Sequence, residues 1–341
     1  MLVHRVRADG SAAVYAPTDE GSFGTATATV NPFGNVPANV RSAVADVDKD
    51  GSPDLILVAG PGTPLRVAVL SGKDNAVLVA PFNPFPSNPG EAEFTAGGFA
   101  AAGDMDGDGR AEFVISPDRA GGPRVTIYSF TNGAAAVRAN FFTVDPDFRG
   151  GARTAIGDFN RDGSPDLVVA AGFGGGPRVV LLDGKKAING FPGQPLPSDK
   201  LIGDFFAFDP GLRDGAYLAA GDVDGDGFAD LILGPGDGGP ATLLVVSGQV
   251  LTSQGAVAAI GSPVARFTPS DLGPDGAGVR VAVTNADGDG RADVVVGAGR
   301  GRAGLARVYL GKTLAGTTEP GGSQRLDPFG GAVLADGVYV G

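Results

Sequence analysis

An acidic, glycine-bearing run recurs five times along this chain, and it constrains the fold more than any other feature. It reads DVDKDGSPD at 46–54, DMDGDGRAE at 104–112, DFNRDGSPD at 158–166, DVDGDGFAD at 222–230 and NADGDGRAD at 285–293. The starts lie 58, 54, 64 and 63 residues apart. Self-similarity at a long, nearly fixed period is the signature of a repeat architecture. After each run comes a β-rich stretch (LILVAG, FVIS, LVVAAG, LILGPG, VVVGAG), then a Gly/Pro turn and a second apolar strand, such as LRVAVLSG from Leu65 or PRVVLLDG from Pro177. A Pro-containing turn closes most units, as at Phe82-Asn83-Pro84 and Phe208-Asp209-Pro210, and a small-residue strand (GGFAAAG, GARTAIG, GAYLAAG) leads into the next run.

Four short strands per roughly 57 residues is the cadence of a β-propeller blade. The Ala- and Gly-rich strand before each loop suits the crowded axis, and the Val/Ile/Leu strands after it suit sheets sandwiched between neighbouring blades. The expected fold is therefore all-β: a six-bladed propeller of four-stranded blades forming a single domain over 1–341. Both chain ends supply the sixth blade. Residues 326–341 copy the first two strands of a unit, with the loop cut to Asp336-Gly337, and residues from about 1–30 resemble the last two. Such a shared blade would close the ring and leave no open sheet edge.

Composition agrees. With 58 Gly and 26 Pro among 341 residues a helical bundle is excluded, while 43% hydrophobic residues supply a core. The net charge of −12 has the wrong sign for gripping nucleic acid or an anionic membrane. Cysteine is absent, so no disulfide framework or thiolate zinc site exists. No apolar run approaches the ~20 residues that span a bilayer, so membrane insertion is not expected. Met1–Arg5 lacks the apolar stretch of a signal peptide, so an exported form would be a mature chain or an excised domain.

Within each loop, oxygen-bearing side chains stand at positions 1, 3, 5 and 9, with Gly at 6. Alternate positions in a tight loop can turn carboxylates toward one point, position 7 can add a backbone carbonyl, and such an all-oxygen cage suits Ca²⁺ ahead of Mg²⁺. The candidate ligands are Asp46, Asp48, Asp50, Ser52 and Asp54; Asp104, Asp106, Asp108, Arg110 and Glu112; and Asp158, Asn160, Asp162, Ser164 and Asp166. The last two loops offer Asp222, Asp224, Asp226, Phe228 and Asp230, and Asn285, Asp287, Asp289, Arg291 and Asp293. Ser52, Arg110, Ser164, Phe228 and Arg291 enter through their carbonyls. Eighteen of the 38 acidic residues lie in these loops, and crowding them without a cation is repulsive, so about five Ca²⁺ ions are expected. The alternative is that Asp-Gly clusters are solvated turns; five copies in one register argue against it. An EF-hand is rejected, because no Glu stands at position 12 and strands flank the loop.

The stretch Gly157-Asp158-Phe159-Asn160-Arg161-Asp162-Gly163-Ser164-Pro165-Asp166-Leu167-Val168-Val169-Ala170-Ala171-Gly172 resembles the FG-GAP (VCBS-type) repeat of integrin α-subunit propellers and bacterial surface proteins. The resemblance implies a calcium-binding loop between the first two strands of each blade. The Phe-Gly and Gly-Ala-Pro elements that name the family are degenerate here, at Phe148-Arg149-Gly150 and Ala170-Ala171-Gly172.

Catalysis finds little support. His4 is the only histidine, no nucleophile elbow is present, and the Gly121-Gly122-Pro123 and Gly174-Gly175-Gly176-Pro177 runs lack the Lys-Ser/Thr of a phosphate loop. Arg66, Arg124, Arg178 and Arg307 recur at the start of the third strand; a repeated structural ion pair, to Asp145, Asp209 or Asp327 in the Pro-containing turns, is the favoured reading, an arginine ring for an anion the sharper one. The expected function is non-enzymatic: an extracellular or cell-surface calcium-binding module for adhesion, interaction or self-assembly, with a protein or glycan partner. The alternatives are a calcium-dependent lectin and, further off, a phytase-like hydrolase. Lys185–Lys200, Val250–Ser262 and Pro17–Thr29 are the non-repeating segments where a partner could dock.

Overall fold

The computed structural model describes residues 3–6, 12–15, 28–34, 40–272, 276–327, 329–335 and 337–341, with side chains from Ala28 onward. The predicted period becomes five antiparallel four-stranded sheets. Their inner strands are Val40–Ala45, Gly98–Gly103, Ala152–Gly157, Ala216–Gly221 and Val279–Thr284. The second strands, Asp54–Ala59, Glu112–Pro117, Asp166–Ala171, Asp230–Pro235 and Asp293–Ala298, are the most buried, as strands covered on both faces must be. Third strands begin at Val67, Arg124, Arg178, Leu243 and Ala306, and outer strands at Val77, Ala134, Phe205, Ala265 and Gln324. Each acidic run is the hairpin between an inner and a second strand. The residue before position 1 pairs with position 9, as in Ala45↔Asp54 and Gly221↔Asp230.

The propeller thus has five four-stranded blades among the described residues, not the six expected. The N-terminal strands Val3–Val6, Ala12–Tyr15 and Ala28–Val30 form a separate three-stranded sheet, whose Val30 packs on Val40, Leu55 and Leu57 of the first blade. At the other end, Val333–Leu334 pairs with Arg302–Ala303 of the fifth unit. Val338–Gly341 then runs along the axis, held by Val338 N–H donating to the Ala298 carbonyl. Val338–Gly341 takes the inner-strand place, so Asp336-Gly337 stands before an inner strand, as Asp214-Gly215 stands before Ala216–Gly221, and is not the shortened acidic loop that was expected. Asp336, Asp9, Gly10 and most of Pro17–Thr29 lie outside the described residues, as does the His4 side chain.

Around the axis the prediction of small residues holds. Ala43, Ala101, Ala155, Ala219 and Ala282 line a cavity of about 460 Å³ together with Val340 and Gly341. Inner-strand glycines let the blades meet: a Cβ on Gly221 would stand 2.7 Å from the Ala292 Cβ of the next unit. The inserts are structural as well. Ile188, within Lys185–Lys200, joins the core between the second and third blades. Val250–Ser262 forms parts of the short helices Gly248–Gln254 and Ala256–Gly261, which bury Leu251 and Ala259.

Candidate metal centres and the axial ring

The five loops share one backbone conformation. Position 6 is a glycine at φ of +80° to +90° in every copy (Gly51, Gly109, Gly163, Gly227, Gly290). Position 4 is also left-handed, and there Lys49 and Arg161 hold φ of 67° and 57° where the other loops use glycine. The first aspartate organises the turn. Asp46 accepts N–H bonds from Lys49 (2.7 Å), Asp50 (3.2 Å) and Gly51 (2.8 Å), and Asp222 repeats the set with Gly225, Asp226 and Gly227. Position 7 donates its N–H to the position 5 side chain in all five loops, from Ser52, Arg110, Ser164, Phe228 and Arg291.

Position 9 does something the motif alone does not disclose. Asp230 accepts the N–H of Val223 through one oxygen (2.9 Å) and that of Gly248 through the other (3.1 Å). Asp54, Asp166 and Asp293 make the same two-sided clamp to Val47 and Gly72, Phe159 and Gly184, and Ala286 and Gly311. The carboxylate therefore ties the loop to the end of the third strand. The signal in the sequence is a glycine eighteen residues after the aspartate in four units; in the second unit Glu112 meets Phe130 at that place and keeps only the Met105 bond. Position 2 is an apolar anchor: Val47, Met105, Phe159 and Val223 have no exposure. Neighbouring loops are stitched together as well. Ala111, Ala229 and Ala292 each donate N–H to the carbonyl of position 1 in the preceding loop, and Ser164 Oγ donates to the Met105 carbonyl.

Three loops bring carboxylates together, with ligand oxygens within 4.8 Å of one another: Asp46, Asp48 and Asp50; Asp104, Asp106 and Asp108; and Asp222, Asp224 and Asp230. In the second of these, Asp104 Oδ1 is buried and has no hydrogen-bond partner. A hard cation with oxygen ligands fits this donor set. The third and fifth loops, where Asn160 and Asn285 replace one carboxylate, carry a lysine instead, while in the second loop Arg138 reaches Asp106 at 3.3 Å with all three carboxylates still gathered. Lys185 pairs with Asp162 at 2.8 Å, and Lys312 pairs with Asp287 and reaches Asp289 at 3.6 Å. Both lysines stand 27 residues after the first loop position. Lys312 holds Asp287 below the usual carboxylate range. Burial, opposed by the backbone N–H groups and reinforced by the other loop carboxylates, pushes Glu112, Asp166 and Asp230 up to about 7.

At the opposite end of the channel stands a feature that the repeat did not announce. The second residue of each inner strand, and of the axial C-terminal segment, is either arginine or aromatic: Arg41, Phe99, Arg153, Tyr217, Arg280 and Tyr339. They alternate around the axis. Arg41 lies 4.1 Å from the Phe99 ring centre and 4.0 Å from that of Tyr339; Arg153 lies 3.8 Å from Tyr217 and 5.7 Å from Phe99; Arg280 lies 4.7 Å from Tyr217 and 5.3 Å from Tyr339. All three arginines are buried, so each needs compensation. Arg41 pairs with buried Asp118 at 2.7 Å, Arg280 with Asp237 at 2.9 Å, and Arg153 donates to the Asp214 carbonyl at 2.8 Å. Arg41, with Arg153 beside it, holds Asp118 below the usual carboxylate range despite its burial. The signal was a single position within a strand already assigned to the axis.

The recurrent third-strand arginines form ion pairs in three of four cases: Arg66 with Glu93, Arg178 with Asp204, and Arg307 with Asp271 and Glu319. The partners are not the turn carboxylates Asp145, Asp209 and Asp327. Arg307 is also displaced in register, pairing with Val296, whereas Arg66, Arg124 and Arg178 sit two residues nearer the strand start.

Fold and loops together define a repeat β-propeller with acidic hairpin loops. Residues 46–115 and 104–169 match the model of the FG-GAP-like repeat. Over 38% of its length the chain is 31% identical to 12% of integrin alpha-6 of Gallus gallus; over 25% it is 37% identical to 8% of integrin alpha-IIb of Mus musculus. It is an FG-GAP-type β-propeller, spanning a small part of the length of these relatives. Among solved structures, the exotype rhamnogalacturonan lyase YesX aligns with a TM-score of 0.41 at 15% identity, covering 90% of this chain and 64% of that one. The Dos1 propeller aligns with a TM-score of 0.45 at 11% identity, covering 92% and 66%.

Proposed function

We propose that this propeller is a calcium-stabilised, non-catalytic interaction module that works outside the cell or at its surface, as an adhesion or assembly unit. The observation that carries it is the convergence of three carboxylates in each of the first, second and fourth loops, with Asp104 Oδ1 buried and lacking a partner. Calcium would be held there by Asp46, Asp48 and Asp50, by Asp104, Asp106 and Asp108, and by Asp222, Asp224 and Asp230. It would supply a charge that offsets their repulsion and locks the hairpin between inner and second strands. In the third and fifth loops Lys185 and Lys312 take that role, so three ions rather than five is the expected complement. Free calcium near millimolar outside cells fills sites of modest affinity. The similarity to integrin α chains supports a protein-binding role. No helix among the described residues is long and apolar enough to cross a membrane.

Calorimetric titration of chelator-stripped protein with calcium tests this reading. It predicts about three sites and weak competition by magnesium; absence of any calcium-specific heat would contradict it.

A further inference from the structure

Among the third-strand arginines, Arg124 has lost its acidic partner. In the third blade Arg178 pairs in register with Phe206, and two residues before that phenylalanine stands Asp204, which binds the arginine. In the second blade Arg124 pairs with Phe142, and the residue two before it is Asn140, whose Oδ1 accepts from Arg124 Nε at 2.8 Å. The geometry is kept while the negative charge is gone. No carboxylate among the described residues forms an ion pair with Arg124.

That half-buried cation faces a recess. Phe85, Phe94 and Phe142 line a cavity of about 270 Å³ with Arg124, and Arg149 stands on the same wall. Arg124 lies 5.1 Å from the Phe85 ring centre. Gly122 leaves room beside Phe142, whose ring a Cβ there would meet at 3.1 Å. Asp145 and Asp147 sit on the adjoining turn, where Asp145 accepts the Asp147 N–H. Arg149 donates to the carbonyls of Pro146 and Phe148 and forms no ion pair among the described residues. The recess is open, and it is smaller than the ~300–1,000 Å³ of an enclosed small-molecule site. It has the size of one large side chain.

We propose that this recess recognises an aromatic side chain next to a carboxylate on an acidic segment of a protein partner. The aromatic ring enters among Phe85, Phe94 and Phe142, and the carboxylate pairs with the terminal guanidinium nitrogens of Arg124, leaving the Asn140 bond to Nε in place, with Arg149 adding a second cation. This rests on the interaction-module part of the reading above and does not depend on calcium.

The test is titration of the folded protein, followed by amide NMR shifts, with the blocked peptides acetyl-Gly-Phe-Asp-Gly-amide and acetyl-Gly-Phe-Asn-Gly-amide, in calcium and in EDTA. The Asp peptide should shift the amides of Gly121, Gly122 and Arg149 in a saturable way, and bind about tenfold or more tightly than the Asn peptide, as a charge-assisted hydrogen bond requires. Asn140→Asp should abolish that preference by restoring the internal ion pair, in a protein at least as stable as the parent. Arg124→Gln should abolish it as well. Equal binding of the two peptides, no binding of either, or an unchanged preference in N140D would overturn the proposal. Tighter binding of phenylacetate than of the Asp peptide would also overturn it, in favour of a free aryl acid. A failed calcium titration with a successful peptide titration would remove only the metal reading.

Discussion

Tyr339 places its ring centre 4.0 Å from the guanidinium carbon of Arg41, which joins the last residues of the chain to the inner strand of the first blade. Through this contact, and through Arg280 at 5.3 Å, the C-terminal segment completes a ring of six alternating cationic and aromatic side chains in a propeller of five four-stranded blades. A strand of that segment is not needed to close the axis; one aromatic residue at the right height fills the place. Cation–π contacts of this kind stabilise by about 0.5–2 kcal/mol each.

The ring makes a double-mutant prediction. Tyr339→Ala should destabilise by about 2 kcal/mol, from lost packing and cation–π contact together. Arg41→Leu should cost about 3–5 kcal/mol, because it leaves the buried Asp118 carboxylate without its partner. Urea unfolding of the singles and the double should show a coupling of roughly 0.5–2 kcal/mol; strict additivity would separate Tyr339 from Arg41.

Gly248 should tolerate no side chain. Its N–H binds Asp230, and a Cβ would stand 1.9 Å from the Ala229 carbonyl oxygen. Gly248→Ala should therefore cost about 3 kcal/mol by denaturant unfolding, at the upper end for overpacking, since backbone and not a flexible side chain is in the way.

Much of this was legible beforehand. The period, the hairpin position of the acidic loops and the small-residue axis all follow from sequence, because five copies average out local noise. The glycine clamp to position 9 was legible only in principle, since its two ends are eighteen residues apart and each looks like an ordinary turn residue. Arg41, Phe99 and Tyr339 gave no repeat signal, because two residue classes alternate at one register position. The sixth blade was expected from similarity of the termini to the other units. The pairing of Val333–Leu334 with Arg302–Ala303 shows why similarity was insufficient: the residues matched to an inner strand pair with the fifth unit, and the axial place goes to Val338–Gly341, after the dipeptide taken for a loop.

Lysine placement predicts which loops bind. Lys312→Met should remove the cation at Asp287 and Asp289, and calorimetry should then show one more calcium site than in the parent. The equivalent Lys185→Met should free Asp162 in the same way. An unchanged stoichiometry in both variants would mean that the asparagines, not the lysines, decide occupancy.

Without a cation the stability should depend on pH with a definite sign. Glu112, Asp166 and Asp230 have folded values near 7, above the usual range for carboxylates. A raised folded value means that the folded state binds the proton more tightly. The stabilisation is complete below the unfolded value and is lost as pH rises from about 4 through about 7. In EDTA the unfolding midpoint should fall over that window. In saturating calcium, which favours the ionised form of Glu112 and Asp230 in the second and fourth loops, the fall should be smaller; parallel pH profiles would place these groups outside any metal effect.

The central claim is that the acidic loops are cation sites that stabilise the propeller, and thermal unfolding tests it most directly. The protein would be melted in excess EDTA, with calcium then titrated back beside a magnesium control. The account predicts a midpoint that climbs with calcium concentration, reflecting about 2.7 kcal/mol of added stability per site at a hundredfold over its dissociation constant, and much less with magnesium. A midpoint that ignores calcium would contradict it and leave the five loops as hydrogen-bonded turns.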